Sequence, residues 1–411
     1  MPDDVAMLTA DVTATAALPL PQARLLPPGA YTSEAFFSAE EERVFRAGWL
    51  CLAHVSELPE AGDYLAIDIL GEPLAVTRAR DGQVHVLSRI CAHRAMDIIP
   101  GGTGFPRRGH AAALVCPYHV WTYEFDGRLR GCPHMQNAEN FTKSDWPLTA
   151  LRSEIWNGFV FVNFDGKAAP VATHYADLDE QLAPWKIAEM GLAITMEWDC
   201  EFNWKIMVEN WMESYHHIGA HSTTLNPIMP GQNTWIEPEH PHYIHAHLPY
   251  TAALQAEVAA AQARGEAMPG FLPIAGLSEA QQTEWGLFLG LPCFMFLTMP
   301  DRLLWYRLLP LAAGKCRLQT MTLVSRETLA SPVFPQMVEA ETPLLRDFHL
   351  EDMVMNTAVQ QGLRSRYAVR GRLSHLEEPV WLIQRYLAAR LNGTLPERAA
   401  RKPYYGPRAA G

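Results

Sequence analysis

No stretch of about 18 uninterrupted apolar residues occurs in the 411 residues of this chain, so no membrane-spanning helix is expected. A basic surplus is also missing: 33 Lys and Arg face 45 Asp and Glu, a formal net charge of −12. A protein that holds nucleic acid through phosphate contacts normally carries the opposite balance, so that class is excluded. The first 30 residues begin with Asp3 and Asp4 and lack a positive region before an apolar stretch. They do not read as a secretory signal, and a cytoplasmic location is expected. Pro19, Pro21, Pro27 and Pro28 predict an extended arm over residues 1–34 rather than a helix. Around Gly101-Gly102-Thr103-Gly104 there is no GxGxxG opening a helix, so no nicotinamide or flavin site of that kind is expected. No internal repeat of fixed period is visible. Cysteine is sparse and odd in number: Cys51, Cys91, Cys116, Cys132, Cys200, Cys293 and Cys316. Seven cysteines over so long a chain argue against a disulfide framework.

What is present is an ordinary globular balance, 48% hydrophobic and 19% charged, enough to build a sizeable core. At roughly 100–200 residues per domain, the length suggests two or three domains, or one large one with a satellite. Ser38-Ala39-Glu40-Glu41 reads as a capping box before the helical face of Val44, Phe45 and Trp49. Alternation then takes over at Leu65, Ile67 and Ile69 and at Leu74 and Val76. Turns fall at Asp81-Gly82 and Asp126-Gly127. With further strands at 113–116, 120–125 and 157–164, residues of about 50–165 predict a small antiparallel β domain. Beyond 175, helical patterns at 203–217, 252–265, 336–363 and 376–391 mix with apolar runs at 286–299, 303–310 and 317–325. The fold class expected is α+β, with a central antiparallel sheet flanked by helices in the larger domain. The divisions drawn are an arm at 1–34, domains at 35–170 (including a helix at 38–50) and 171–393, and a tail at 394–411.

Two short Cys/His pairs stand in the β-rich segment: Cys91-Ala92-His93-Arg94 and Cys116-Pro117-Tyr118-His119. Thiolate and imidazole suit zinc or iron–sulfur centres. A closed tetrahedral zinc could take all four; a Rieske [2Fe–2S] cluster divides two Cys and two His between two irons. His follows Cys in both pairs, and the β setting does not suit a finger helix. With Trp121, Tyr123 and Asp126-Gly127 following, the segment resembles the Rieske domain of the Rieske non-heme iron oxygenases. Two departures stand out. That family usually has glycine where this chain has Ala95 and Val120, and the segment between His93 and Cys116 is longer, with Gly104-Phe105-Pro106-Arg107-Arg108-Gly109 as the extra material. His110 and His134 read as surface or packing residues.

A second constellation lies at Asn203-Trp204-Lys205…Glu209-Asn210-Trp211-Met212-Glu213-Ser214-Tyr215-His216-His217-Ile218-Gly219-Ala220-His221. Two His and one carboxylate on one face of an iron leave positions open for oxygen and substrate. Alone, the stretch reads equally as a polar helix end. It also resembles the catalytic signature of the same oxygenase family. The resemblance implies that His216 and His221 are iron ligands, with His217 the competitor for the first place. It implies that Asp352 is the third ligand, with Glu351 and Asp347 as alternatives. It further implies that Glu213 bridges the cluster histidine of one subunit to the iron ligand of the next; Asn210 is a candidate to support the site, with an ordinary helix-surface role as the alternative.

As a whole the resemblance implies an alpha (terminal oxygenase) subunit of the aromatic-ring-hydroxylating type, working as a homotrimer. Cys91, His93, Cys116 and His119 would hold a Rieske cluster; His216, His221 and Asp352 would hold mononuclear Fe(II). Electrons would come from NAD(P)H through a separate ferredoxin or flavin reductase, because no segment reads as a reductase module. Arg107 and Arg108 could help dock that carrier. A small aromatic substrate is the preferred expectation, hydroxylated or dihydroxylated. Oxidative demethylation of a quaternary ammonium or methoxy compound is the alternative. Met207, Trp211, Phe294, Phe296, Trp305 and Tyr306 are candidates to line the pocket, with plain core as the competing role. Two readings from other classes are an electron-transfer-only Rieske protein and a zinc-stabilised binding module.

Overall fold

The computed structural model describes residues 2–102, 104, 106–264 and 270–398. The chain forms two compact units: Arg46–Thr173, and a larger one built from the residues up to Phe45 together with those from His174 onward.

The smaller unit is antiparallel β. Its strands are β1 (Leu50–His54), β2 (Asp63–Ile69), β3 (Glu72–Arg78), β4 (Val84–Ser88), β5 (Arg108–His110), β6 (Leu114–Val115), β7 (Thr122–Tyr123), β8 (Leu129–Gly131), β9 (Ala150–Trp156) and β10 (Phe159–Asn163). Seven of them make one sheet in the order β1-β10-β9-β4-β3-β2-β5; β6-β7-β8 make a second. Cys91 and Cys116 belong to a buried cluster with Trp121, Tyr123, Phe125 and Leu148. The Asp126-Gly127 turn needs its glycine: Gly127 has φ +90°, and a Cβ there would stand 3.2 Å from the Leu148 carbonyl. The expected loop at 104–109 ends as strand β5, paired with β2. Arg107 pairs with Asp68 at 2.7 Å, and Arg108 donates to the Glu57 carbonyl at 2.9 Å. Both guanidiniums are therefore engaged within the unit rather than held out on a free loop tip.

The larger unit holds a seven-stranded antiparallel sheet, β11 (Gly191–Cys200), β12 (Trp235–Ile236), β13 (Tyr243–Pro249), β14 (Glu284–Gly290), β15 (Phe294–Thr298), β16 (Leu303–Ala312) and β17 (Lys315–Val324). Its order is β11-β17-β16-β15-β14-β13-β12. The single apolar run expected at 286–299 is a hairpin, β14 to β15. Side chains alternate across the sheet. Tyr306 pairs with Met295 and Thr320, whereas Trp305 pairs with Phe296 and Met321. The Tyr306 face meets the helices Trp204–Met212 and Phe334–Leu363, through Trp211 and His349. The opposite face carries Trp305, Phe296 and Phe294 and is covered in part by Tyr175. Of the six proposed pocket residues, these three therefore point away from the helices. Strand alternation, which the apolar run conceals, is the reason.

The N-terminal expectation needs correction. Residues Pro2–Ala16 are helical. Every proline of the segment except Pro2 lies beyond the helix, and Pro2 sits at its first turn, where a missing N–H is harmless. The helix is tied to the C-terminal region: Arg370 bonds Asp11 at 2.8 and 3.0 Å, and Asn392 bonds Thr13 at 2.9 Å. After a short helix at Gly29–Thr32 comes the helix Glu34–Glu40, capped by Ser33 rather than Ser38. It belongs to the larger unit, not to the β unit expected to begin at 35: Glu40 pairs with Lys205, and Phe45 just beyond it packs edge-on against Trp204 at 4.9 Å. Of the expected tail at 394–411, residues beyond 398 lie outside those described.

The Trp204–Met212 helix is buried on nearly every side and is pinned by polar contacts. Asn203 caps it by accepting from the Lys205 N–H at 2.9 Å. Lys205 pairs with Glu40 at 2.7 Å, both fully buried, and the Trp204 indole donates to Glu40 at 3.0 Å. Burial pushes the Glu40 carboxyl up and the Lys205 ammonium down, each partly offset by the other. Removing one partner strands the other charge. Lys205→Met is expected to destabilise the larger unit by about 3–5 kcal/mol in urea unfolding. A change within about 0.5 kcal/mol would show that the pair is dispensable.

Candidate metal centres

In the β unit, the two Cys/His segments are six-residue loops with one hydrogen-bond frame. The Cys91 N–H donates to the Met96 carbonyl (2.8 Å), and Ala95 donates back to Cys91 (3.0 Å). Likewise Cys116 donates to Trp121 (2.8 Å) and Val120 back to Cys116 (3.0 Å). In each loop the fifth residue must turn left-handed: Ala95 has φ +53° and Val120 φ +60°. These are the two positions where glycine was expected from the resemblance. The backbone keeps the glycine conformation without the glycine, which for a β-branched residue is strained.

The loops present their donors as like pairs. Cys116 faces Cys91, and the rings of His93 and His119 meet edge-on at 4.6 Å. His93 is clamped flat on Trp121 at 4.8 Å, and its Nδ1 is buried with no hydrogen-bond partner. A single tetrahedral zinc would draw all four donors within about 4 Å of one another. Among the described residues, no three of these donors form a set within 4.8 Å. Two separate pairs suit two irons better than one zinc. Tyr123 accepts from the Ala92 N–H at 3.1 Å, leaving its own proton for Cys91 Sγ at 3.2 Å. A hydrogen bond to a ligand sulfur tunes a cluster's potential.

In the larger unit, the ligand helix ends at Glu213, and a short 3-10 turn, Tyr215–Ile218, follows. Glu213 organises that turn. It accepts from the Tyr215 and His216 N–H groups and from His216 Nδ1 at 2.7 Å. The far nitrogen of His216 then faces Asp352 Oδ1 at 3.7 Å. His221 repeats the arrangement: Nδ1 bonds Glu351 at 2.5 Å and Nε2 reaches Asp352 Oδ1 at 3.1 Å. His216, His221 and Asp352 thus offer donors that all lie within 4.8 Å of one another, each ring oriented from behind by a carboxylate. Burial pushes the Asp352 carboxyl up, but the hydrogen bond and charge of His221, with His216 and His349, hold it below the usual range. A deprotonated oxygen is what a metal requires. The donor set fits one iron with open positions.

The competitors sort themselves by direction. His217 turns away, bonding the Met229 carbonyl at 2.8 Å, and burial pushes it down to about 4. Asp347 is exposed and pairs with Arg346. Glu351, weighed as a ligand, instead stands behind His221, held also by Thr224 at 2.9 Å. Adjacent helix residues point about 100° apart. Glu351 and Asp352 therefore serve opposite sides of one ring, which their order in the sequence does not disclose. Asn210 donates to Asp352 at 3.3 Å. Met207, Trp211 and Tyr306 remain on this face, with Trp211 edge-on to Tyr306 at 5.4 Å.

The family model described as "Ring hydroxylating alpha subunit (catalytic domain)" matches residues 174–393, more than half of the chain. The chain belongs to the ring-hydroxylating alpha-subunit family. The Rieske [2Fe-2S] domain model matches residues 48–142. Together the two matched domains imply a Rieske cluster and a mononuclear iron. The carnitine monooxygenase oxygenase subunit of Acinetobacter pittii is 34% identical over 197 residues, 46% of this chain and 51% of that protein. The glycine betaine monooxygenase oxygenase subunit of Chromohalobacter salexigens is 32% identical over 209 residues, 51% of this chain and 46% of that one. The chain spans about half the length of the curated relatives it matches. A crystal structure of the quaternary ammonium Rieske monooxygenase CntA with an inhibitor superposes with a TM-score of 0.76 at 25% identity, covering 92% of this chain and 98% of that one. Among the described residues, no helix is long and apolar enough to cross a membrane.

The left-handed Val120 makes a prediction specific to this chain. Val120→Gly is expected to relieve about 1 kcal/mol of strain and raise the midpoint at which heating bleaches the cluster absorption. A lowered midpoint would show that the Val120 side chain stabilises the loop more than its backbone strains it.

Proposed function

We propose that this chain is a terminal oxygenase component that uses dioxygen and externally supplied electrons to hydroxylate a small organic substrate. The meeting of His216, His221 and Asp352, each imidazole backed by its own carboxylate, carries this reading. In it, Cys91, His93, Cys116 and His119 hold the Rieske cluster, and His216, His221 and Asp352 hold the iron. An iron so held, fed single electrons from the cluster, supplies reductive activation of dioxygen. The chain's own residues do the positioning. Glu213 and Glu351 fix which nitrogen of each ring faces inward. Asn210 holds Asp352. Glu213 also serves as the bridge to the cluster histidine of a neighbouring subunit in a homotrimer. Exposed Tyr118 and Val120, beside His119, give that edge of the β unit an apolar rim suited to burial against another protein surface. A separate ferredoxin or flavin reductase drawing on NAD(P)H supplies the electrons.

For the substrate we favour a quaternary ammonium compound, hydroxylated on a carbon next to nitrogen. Two of the relatives are named for carnitine and glycine betaine. A net charge of −12 favours approach of cations, and Trp211 and Tyr306 offer π faces on the iron-ligand side of the sheet. An aromatic ring, the preference from sequence, is the second reading, favoured by the description of the matched family.

With a ferredoxin and reductase supplied, oxygen uptake should rise on adding carnitine or glycine betaine and stay flat with biphenyl. The reverse result would establish the second reading. His221→Ala should abolish substrate-coupled oxygen uptake while leaving the cluster spectrum intact. Uptake retained in that variant would refute the iron-ligand assignment.

A further inference from the structure

A second cluster of metal-ligand side chains lies in the larger unit, away from the first. Glu237, His245 and His247 each offer one donor atom, and these atoms lie within 4.8 Å of one another. They come together through register. His245 and His247 sit two apart on β13 and so share one face. Trp235 of β12 pairs with His247, and the Glu237 N–H donates to the His245 carbonyl at 2.9 Å, which carries Glu237 alongside. The next rows of the sheet place this face. His245 pairs with Phe288, Phe288 with Phe296, and Phe296 with Trp305. That is the face opposite Tyr306, so these donors do not belong to the iron-ligand set.

The two imidazoles are held by stacking, and neither Nε2 makes a hydrogen bond. His247 stacks flat on Trp235 at 3.6 Å, and His245 on Phe288 at 4.0 Å. Their rings stand 4.0 Å apart. His247 Nδ1 is fixed by Glu284 at 2.9 Å. Its Nε2 faces Glu237 at 3.6 Å, beyond hydrogen-bond reach. The Nε2 atoms of both histidines are buried and without a hydrogen-bond partner; His245 is 2% exposed and His247 5%. Two buried ring nitrogens without hydrogen-bond partners, on histidines whose donors gather beside a carboxylate, are costly unless something accepts their lone pairs.

We propose that Glu237, His245 and His247 bind a divalent transition cation, of which zinc fits the donors best. Two neutral imidazoles and one carboxylate are a common zinc set, and Glu284 behind His247 repeats the carboxylate–histidine–metal arrangement. The carboxylates of Glu237 and Glu284 balance the charge of a divalent ion, so burying it there leaves no net charge. A cleft beside His245, lined by Trp185, Phe288 and Thr298, has room for about one water. Such an ion ties the two-residue edge strand β12 to β13. β12 directly follows the segment 213–234, which carries His216 and His221. The ion therefore anchors the exit of the iron-ligand segment without touching the iron. This inference goes beyond the oxygenase reading and does not depend on it.

The test is zinc uptake by the iron-loaded holoenzyme, read by competition with a chromogenic chelator. About one equivalent should be taken up by the parent chain and equally by His221→Ala, in which the iron site is disabled. His247→Ala should take up none. Glu237 is partly exposed and its change spares the core, so Glu237→Gln should fold and bind zinc at least about tenfold more weakly. Zinc should raise the unfolding midpoint of the parent chain and not that of Glu237→Gln. No uptake by the parent chain, or uptake unchanged in Glu237→Gln and His247→Ala, would overturn the proposal. Uptake lost only in His221→Ala would place the zinc at the iron site and overturn it equally.

Discussion

The inward face of the Phe334–Leu363 helix, packed against the Trp204–Met212 helix and the sheet, is largely polar, and the three-donor site is one part of it. The inward stripe of the long helix reads Glu341, Leu345, His349, Asp352, Asn356, Gln360 and Leu363, spaced by three and four. Its polar members have partners. Gln360 accepts from the Asn203 N–H at 2.7 Å, Asn356 donates to Asn210 at 3.2 Å, Asn210 to Asp352, His349 meets the Tyr306 hydroxyl at 3.0 Å, and Glu341 takes Arg302 at 2.6 Å. An apolar seam would tolerate sliding; a ladder of buried hydrogen bonds does not, because each slip leaves groups unpaired at about 1–3 kcal/mol apiece. Asp352 is thereby set opposite His216 and His221. The placement of the Asp352 carboxylate against imidazoles from the middle of the chain rests on this register.

The β unit uses a different device. Two loops of equal length and equal hydrogen bonding bring like donors to like, thiol to thiol and imidazole to imidazole. The chain meets the left-handed turn of each loop with Ala95 and Val120 rather than glycine, and accepts the strain. Packing compensates: Cys91 and Cys116 are buried with Trp121, Tyr123 and Phe125, and His93 lies flat on Trp121. Backbone shape is set here by the loop's contacts rather than by the residue that turns it.

Legibility followed sequence distance. The Cys/His pairs, the Glu213–His221 stretch and the long helices are compact motifs, readable from spacing. The α+β class followed from the change of period. What escaped depends on partners far along the chain. The helix Pro2–Ala16 mixes Ala, Met and Leu with β-branched Val and Thr and is held by Asp11 and Thr13 reaching Arg370 and Asn392; the prolines that suggested an extended arm all lie after it. Phe294, Phe296 and Trp305 take the core role rather than the pocket role open to them, on the face away from His349, which a uniform apolar run does not disclose. Glu351 could not be told from a ligand by its place beside Asp352. Glu237, His245 and His247 show no motif at all; only the pairing of β12 with β13 gathers them.

The proposed function requires two iron centres in one chain. Iron, zinc and acid-labile sulfide in anaerobically purified protein test it most directly. The account predicts about three irons and about two sulfides per chain. Zinc without sulfide, or iron that never exceeds sulfide even after reconstitution, would contradict it.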